Sequence, residues 1–307
     1  MANRSVAAKL RPYAYLSPAL ISITVLSLAP MLYTIYLAFT DASLYTMRTG
    51  YKWIGLDNFR EIFTGTFASV FFPVLGWTLA YAALGVITQY AMGMFMAVLL
   101  NNPHLKETRI YRALLVIPWA IPGSIAVLAW QGLFHTSAGS INLWLHTLFG
   151  IAPIPWLQNP NLARVAVIIV NLWLGFPYMM TVSLGALQSI PADLYEAAEV
   201  DGANAWIKFW QVTFPIMLRF TLPLMIGSFA YNFNNFNTAL LMINGGPNRI
   251  GPFNAGYTDI LASVGYKLTV SLNRYGLSAA LSIVLFFLVA GVSLLNMRVT
   301  GAFKEED

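Results

Sequence analysis

The sequence predicts an all-α integral membrane protein with six transmembrane helices. Two observations predict it. Hydrophobic residues fill 58% of the 307 positions and charged residues only 9%, with a mean hydropathy of +0.65, outside the range of water-soluble domains. The apolar residues also fall in runs long enough for a helix, rising about 1.5 Å per residue, to cross about 30 Å of hydrocarbon. The absence of cysteine excludes a disulfide framework and a thiolate metal site. The net charge of +5 is spread over the connecting loops, which fits membrane topology signals and argues against nucleic acid as a partner.

Each element follows in order. A basic segment, residues 1–13 with Arg4, Lys9 and Arg11, precedes a first span at 14–39. Its length and the lack of a small-residue cleavage site before Asp41 predict an uncleaved helix, in which Pro18 and Pro30 are tolerable if the freed carbonyls find partners. The stretch YKWIGLDNFREIF predicts a short amphipathic helix on the outer surface, with Trp53, Phe59 and Phe63 in an interfacial belt. The second span is 70–100, where Gly76, Ala80, Gly85, Met92 and Gly93 predict close helix packing. A short basic loop leads to the third span, 113–134, broken by Pro118 and Pro122-Gly123. Trp144, Leu145, Leu148 and Phe149 predict a helix in the outer interface. The fourth, fifth and sixth spans are 162–187, 216–243 and 275–297, with a Gly-, Pro- and Asn-rich outer loop at 244–274 and a charged tail at 298–307. The modest excess of Lys and Arg at the termini and in the second and fourth loops places both termini in the cytoplasm. Residues 14–297 thus form one transmembrane domain.

The fourth loop, 188–215, carries charge between two spans. Ser189 and Pro191 predict a helix start, with the proline at the first helical position. Leu194, Ala197, Ala198 and Val200 give this helix an apolar side, while Asp193, Glu196 and Glu199 face away. Asp201-Gly202 ends it, and Asn204 caps a second helix running to about Thr213, before Pro215 opens the next apolar run. An ordinary interfacial helix would account for the amphipathic pattern, though it requires neither the Asp-Gly-Ala turn nor the distal proline. EAAEVDGANAWIKFWQVTFP resembles the cytoplasmic EAA loop of ABC-importer permeases, because Glu196, Ala197, Ala198, Asp201, Gly202 and Pro215 hold type and spacing together. The resemblance implies the type I ABC importer permease fold and a coupling helix. It also implies that Glu196, Ala197, Ala198, Asp201 and Gly202 dock an ATPase, with Glu196 contacting an arginine of that partner.

No span carries an acidic or basic residue near its middle, which weakens an ion-coupled carrier. No G-x-x-x-x-G-K-[ST] loop exists, so the chain cannot hydrolyse ATP itself. A membrane enzyme lacks a nucleophile–base pair in the spans, and His104, His135 and His146 lack metal-ligand spacing. What the spans do carry is neutral and polar. Asn171, Leu174, Gly175 and Tyr178 fall on one helical face, beside the Trp173 carbonyl that Pro177 cannot bond. Ser228, Tyr231, Asn232 and Asn235 likewise share a side. Amides beside aromatic rings suit a sugar, whose hydroxyls they bond and whose apolar face they cover. The same amides serve equally as glue between helices.

The region from Asn171 through AYNFNNFN, INGGPNR and AGYTDIL resembles the larger permease subunit of maltose/maltodextrin ABC importers, over nearly the whole chain. That resemblance implies a sugar pocket at Asn171, Leu174, Gly175, Tyr178, Tyr231, Asn232 and Asn235. It implies a heterodimer with a second permease, two cytoplasmic ATPase subunits that bind the ATP, and an extracytoplasmic sugar-binding protein; no cofactor belongs to this chain. Gly123 stands where that family has a serine, and the family's additional N-terminal spans and large periplasmic insertion have no counterpart in this sequence. A permease of the same type for another oligosaccharide or for glycerol phosphate is the nearest alternative, although a phosphorylated solute asks for Arg or Lys in the pocket and the span interiors hold none.

Overall fold

A computed structural model describes residues 6–102, 104–249 and 251–299. The expected charged tail lies almost wholly outside the described residues, as does the start of the N-terminal segment. Among the described residues, five helices are long and apolar enough to cross a membrane, and a bent pair makes a sixth span. Among the same residues, strand pairing is limited to two isolated bridges.

The first helix begins at Val6, ahead of the apolar run, and the part of it apolar enough to cross a membrane is Tyr15–Ala38, close to the expected 14–39. It comprises α1 (Val6–Ile23), a π turn (Thr24–Leu28) and α2 (Ala29–Ala38). The Ala29 N–H reaches back to the Thr24 carbonyl, the wider spacing with which a helix absorbs the donor missing at Pro30. Two short helices follow outside the span, α3 (Thr46–Thr49) and α4 (Asp57–Phe63). Asn58 pins α4 by donating to the carbonyls of Ala38 and Thr40 at 2.9 and 2.8 Å, and Trp53 stacks on Phe39.

The central pillar is α5 (Ala68–Leu100). It packs in parallel against α9 (Pro160–Gln188), with Gly85, Gln89 and Gly93 of α5 facing Asn171, Gly175 and Met179 of α9. A Cβ on Gly85 would lie 2.7 Å from the Asn171 amide nitrogen, and one on Gly93 would lie 2.5 Å from the Met180 backbone nitrogen. Small residues are needed here because lipid supplies no hydrophobic drive between helices, leaving close packing and hydrogen bonds to hold the pair. Gly76 was expected at this interface as well, but it faces open space, being off the four-residue stripe.

The third span is an L. Helices α6 (Thr108–Ala120) and α7 (Gly123–Leu133) meet at 92°, because Ile121 is extended ahead of Pro122. Helix α8 (Ser140–Phe149) exposes Trp144, Leu148 and Phe149, while Leu145 is half-buried. Buried Asn142 holds the return strand by donating to the Thr136 and Ile154 carbonyls and accepting from the Ile154 N–H and the Trp156 indole.

After α9, Pro191 caps α10 (Ala192–Val200), so helical geometry starts one residue later than expected. Gly202 closes it at φ +76°, and Asn204 accepts from the Ile207 N–H at 3.0 Å to cap α11 (Ala205–Lys208). The second short helix does not stop at Pro215. It passes through a π turn (Phe209–Thr213) into α12 (Phe214–Asn234), where Pro215 occupies the first turn and needs no N–H partner. The fifth span instead breaks later, at Asn235, before α13 (Asn237–Ile243).

The stretch 244–274 is not the irregular loop its composition suggested. It contains α14 (Leu261–Val270), folded against α15 (Tyr275–Val299). Its centre is a buried ion pair, Lys267 Nζ to Asp259 Oδ2 at 2.6 Å. Lys267 also donates to the carbonyls of Asn244 and Asn254, and Asp259 accepts from the Ser263 hydroxyl and the Gly256 N–H. The segment is tied to α5 where the Trp77 indole donates to the Thr258 carbonyl and the Leu261 N–H donates to the Thr78 hydroxyl. Lys267→Met leaves a buried carboxylate without its cation. We expect it to cost about 3–5 kcal/mol, read as a marked fall in the melting temperature of the purified protein. An unchanged melting temperature would show that the pair does not hold this segment.

Candidate functional site

A cavity of about 550 Å³ opens between α5, the α6–α7 elbow, α9 and the broken fifth span. All seven residues singled out from the sequence line it: Asn171, Leu174, Gly175 and Tyr178 from α9, Tyr231 and Asn232 from α12, and Asn235 from the break. The lining contains no charged residue. Its size falls within the ordinary range for small-molecule sites, about 300–1,000 Å³.

The asparagines divide into two kinds. Asn171 and Asn232 are only 4% and 1% exposed, and the Asn171 amide donates to the Asn232 side-chain oxygen at 2.9 Å. Asn232 in turn donates to the Ser228 carbonyl at 2.9 Å. These two therefore bond α9 to α12, which is the role of glue, and in doing so form the polar wall of the cavity. Asn235 is half-buried and accepts from the Asn237 N–H, helping to restart the helix after the break. Asn234, next to them in sequence, points out of the cavity and donates to the Ala230 carbonyl. Tyr231 is 66% exposed, while Tyr178 is half-buried with its ring 6.1 Å from that of Trp119.

Sequence reasoning missed Gln89, Trp119 and Thr238, which also line the cavity. Gln89 is a lone amide in an apolar helix, a signal that was present; Trp119 and Thr238 reach the cavity only through the elbow and the break. Gly123 stands at the start of α7 on the cavity rim.

Glu196, Ala197, Asp201 and Gly202 are exposed at one end of the molecule, with Ala198 half-buried beside them. Helix α10 buries none of its residues: Leu194 and Val200, expected on an apolar inner side, are exposed. It is held instead by Tyr195, whose hydroxyl lies 3.0 Å from that of Thr213 at the foot of α12. Glu199 pairs with Lys208 at 2.6 Å, and the hydrogen bond from Lys208, then its charge, holds the Glu199 carboxyl below the usual range. A depressed carboxylate contributes stability above its ordinary pKa and loses it as pH falls through the lowered one; on this exposed pair the contribution is small. Among the described residues, no group of His, Cys, Asp and Glu is placed to hold a metal ion.

Residues 89–300 match the family described as binding-protein-dependent transport system inner membrane component. The galactooligosaccharides transport system permease protein GanP of Bacillus subtilis is 41% identical over 96% of this chain and 71% of its own length. The maltodextrin transport system permease protein MalC of Streptococcus pneumoniae is 38% identical over 96% of this chain and 70% of its own length. The maltose/maltodextrin transport system permease protein MalF of Salmonella typhimurium is 44% identical over 80% of this chain, which spans 49% of that relative. The same fold is seen in a bacterial ABC transporter involved in import of the acidic polysaccharide alginate, at a TM-score of 0.81 and 21% identity over 98% of this chain and 99% of that one. The family match over most of the chain, the permease relatives matched over 96% of it and the shared fold agree: the chain belongs to the family of binding-protein-dependent transport system inner membrane components, the permeases of ABC importers.

Proposed function

We propose that this chain forms the translocation path for a neutral oligosaccharide, of the maltose/maltodextrin class, in an ATP-driven importer. The observation that carries the reading is the cavity itself, uncharged and lined by amides and aromatic rings. Such a lining satisfies sugar hydroxyls and covers a pyranose face, and it offers no cation to a phosphate or carboxylate. Two of the relatives are named for maltodextrin or maltose transport, which supports the choice of class. A galactooligosaccharide is a second reading, favoured by the relative named for galactooligosaccharides.

In this reading residues 14–297 are the transmembrane domain, and both termini and the loop 188–215 are cytoplasmic. A second permease completes the path, two ATPase subunits dock on the EAA loops, and a sugar-binding protein delivers the substrate from outside. Helix α10 suits a docking role because its exposed surface is unused within the chain. From α10 the Tyr195–Thr213 contact leads to the base of α12, and α12 carries Tyr231 and Asn232 into the cavity. A push on α10 therefore reaches the cavity through one continuous helix.

Five alanine variants test the site. Tyr178→Ala, Tyr231→Ala and Asn235→Ala should reduce transport of maltotriose by the reconstituted complex while leaving its melting temperature nearly unchanged. Asn171→Ala and Asn232→Ala should lower both, since each leaves a buried amide partner unbonded at a cost of about 1–3 kcal/mol. Normal maltotriose transport by the first three variants would remove the sugar reading.

The docking role predicts that Glu196→Lys and Gly202→Asp abolish transport with the protein still in the membrane. The first reverses a contact charge, and the second places a side chain where φ is +76°. ATPase co-purification should fall in both; undiminished co-purification and transport would exclude the assignment.

A further inference from the structure

We propose that Gln89 is a specificity-determining residue of the cavity, presenting a fixed hydrogen-bond acceptor to one hydroxyl of the transported sugar. The proposal rests on the sugar reading of the cavity given above. Gln89 sits on α5, is only 5% exposed, and lines the cavity. An unbonded primary amide at such a position costs free energy, so its orientation has to be explained by what it bonds.

One half of the amide is taken. Gln89 Nε2 donates to the backbone carbonyl of Asn171 at 2.9 Å. In a regular helix that carbonyl already accepts from the N–H of Gly175, one turn on, and its second lone pair is what Gln89 uses. Gly175 makes the approach possible, because a Cβ there would overlap the Gln89 amide. The amide is thus seated in a notch that only glycine leaves open.

The seat also decides which way the amide faces. Rotating it by half a turn would set oxygen against the Asn171 carbonyl, two acceptors in contact, so Nε2 stays on the carbonyl and Oε1 faces away from it. Among the described residues nothing donates to that oxygen, and it is not among the buried polar atoms left without a partner. It is therefore the open face of a locked amide. Beside it the Asn171 amide nitrogen is committed to the Asn232 oxygen, and the Asn232 amide nitrogen to the Ser228 carbonyl. Gln89 differs from them in being held by a backbone carbonyl of a helix, so the direction of its acceptor is set independently of the substrate. A site built to bond one hydroxyl rejects the analogue that lacks it far more strongly than an apolar wall does.

The test uses the reconstituted complex, with maltose and its monodeoxy analogues each delivered on saturating binding protein. The unsubstituted protein should transport one of the analogues at least about tenfold more slowly than maltose through loss of this bond. Gln89→Met keeps the volume and removes the acceptor, and it should close that gap for the same analogue while leaving the ratios for the others unchanged. Gly175→Ala displaces the amide without altering its atoms and should close the same gap, which keeps the test alive if the Met variant accumulates poorly. The double variant Gln89→Ala/Gly175→Ala relieves the overlap and should recover maltose transport relative to Gly175→Ala without restoring discrimination. If Gln89→Met slows maltose and every analogue in equal proportion, Gln89 is a packing residue and the proposal fails alone. If Tyr178→Ala and Asn235→Ala also transport maltose normally, the sugar reading fails and takes the proposal with it.

Discussion

The contact on which the rest of the structure depends is the parallel pairing of α5 and α9. At three successive turns a small residue meets a larger one: Gly85 against Asn171, Gly175 against Gln89, and Gly93 against Met179. The pairing alternates sides, so neither helix can slide by a turn without setting two large groups together. In lipid, where apolar surface gains nothing by being covered with other apolar surface, this interlocking and the hydrogen bonds it shelters fix the register. The polar wall of the cavity is a consequence, since Asn171 can reach Asn232 only because Gly85 leaves room for its amide.

Irregular backbone then appears where it borders the cavity. The fifth span stops at Asn235 and restarts at Asn237, and the third turns through 92° at Pro122. Both breaks free backbone groups that hydrocarbon would not tolerate, and both lie on the lining, next to other polar groups. The 244–274 segment, by contrast, closes tightly. There the buried Lys267–Asp259 pair, with the backbone groups it gathers, makes a compact cap of what would otherwise be a long loop beside the cavity.

The two ends of the molecule are built on opposite principles. The 244–274 cap buries the Lys267–Asp259 pair and satisfies it internally, leaving Arg274 at the surface. The opposite end exposes α10 and buries none of it, keeping the Tyr195–Thr213 and Glu199–Lys208 contacts with the helix that reaches the cavity. A surface left unused within the chain, joined to a continuous helix that lines the cavity, can transmit displacement. A helix packed into its own chain on every side could not.

The amino-acid sequence by itself determined the class of the protein and much of its outline. Hydropathy depends on composition within a window, so five spans and the position of the sixth were legible. Caps are local as well: Gly202 and Asn204 act on their immediate neighbours, and the turn between α10 and α11 came out as expected. The polar faces of the fourth and fifth spans were legible, because positions on one helical face remain together however the helix packs, whereas Gln89, Trp119 and Thr238 were not. Only the tertiary structure decided which polar groups face each other. Asn171 and Asn232 are 61 positions apart and Gln89 lies in a third helix, so their bonds depend on a register that no single helix encodes. For the same reason the Lys267–Asp259 pair was hidden in a stretch whose glycines, prolines and asparagines suggested only turns. Its charges became tolerable when folding brought the carbonyls of Asn244 and Asn254 and the N–H of Gly256 around them.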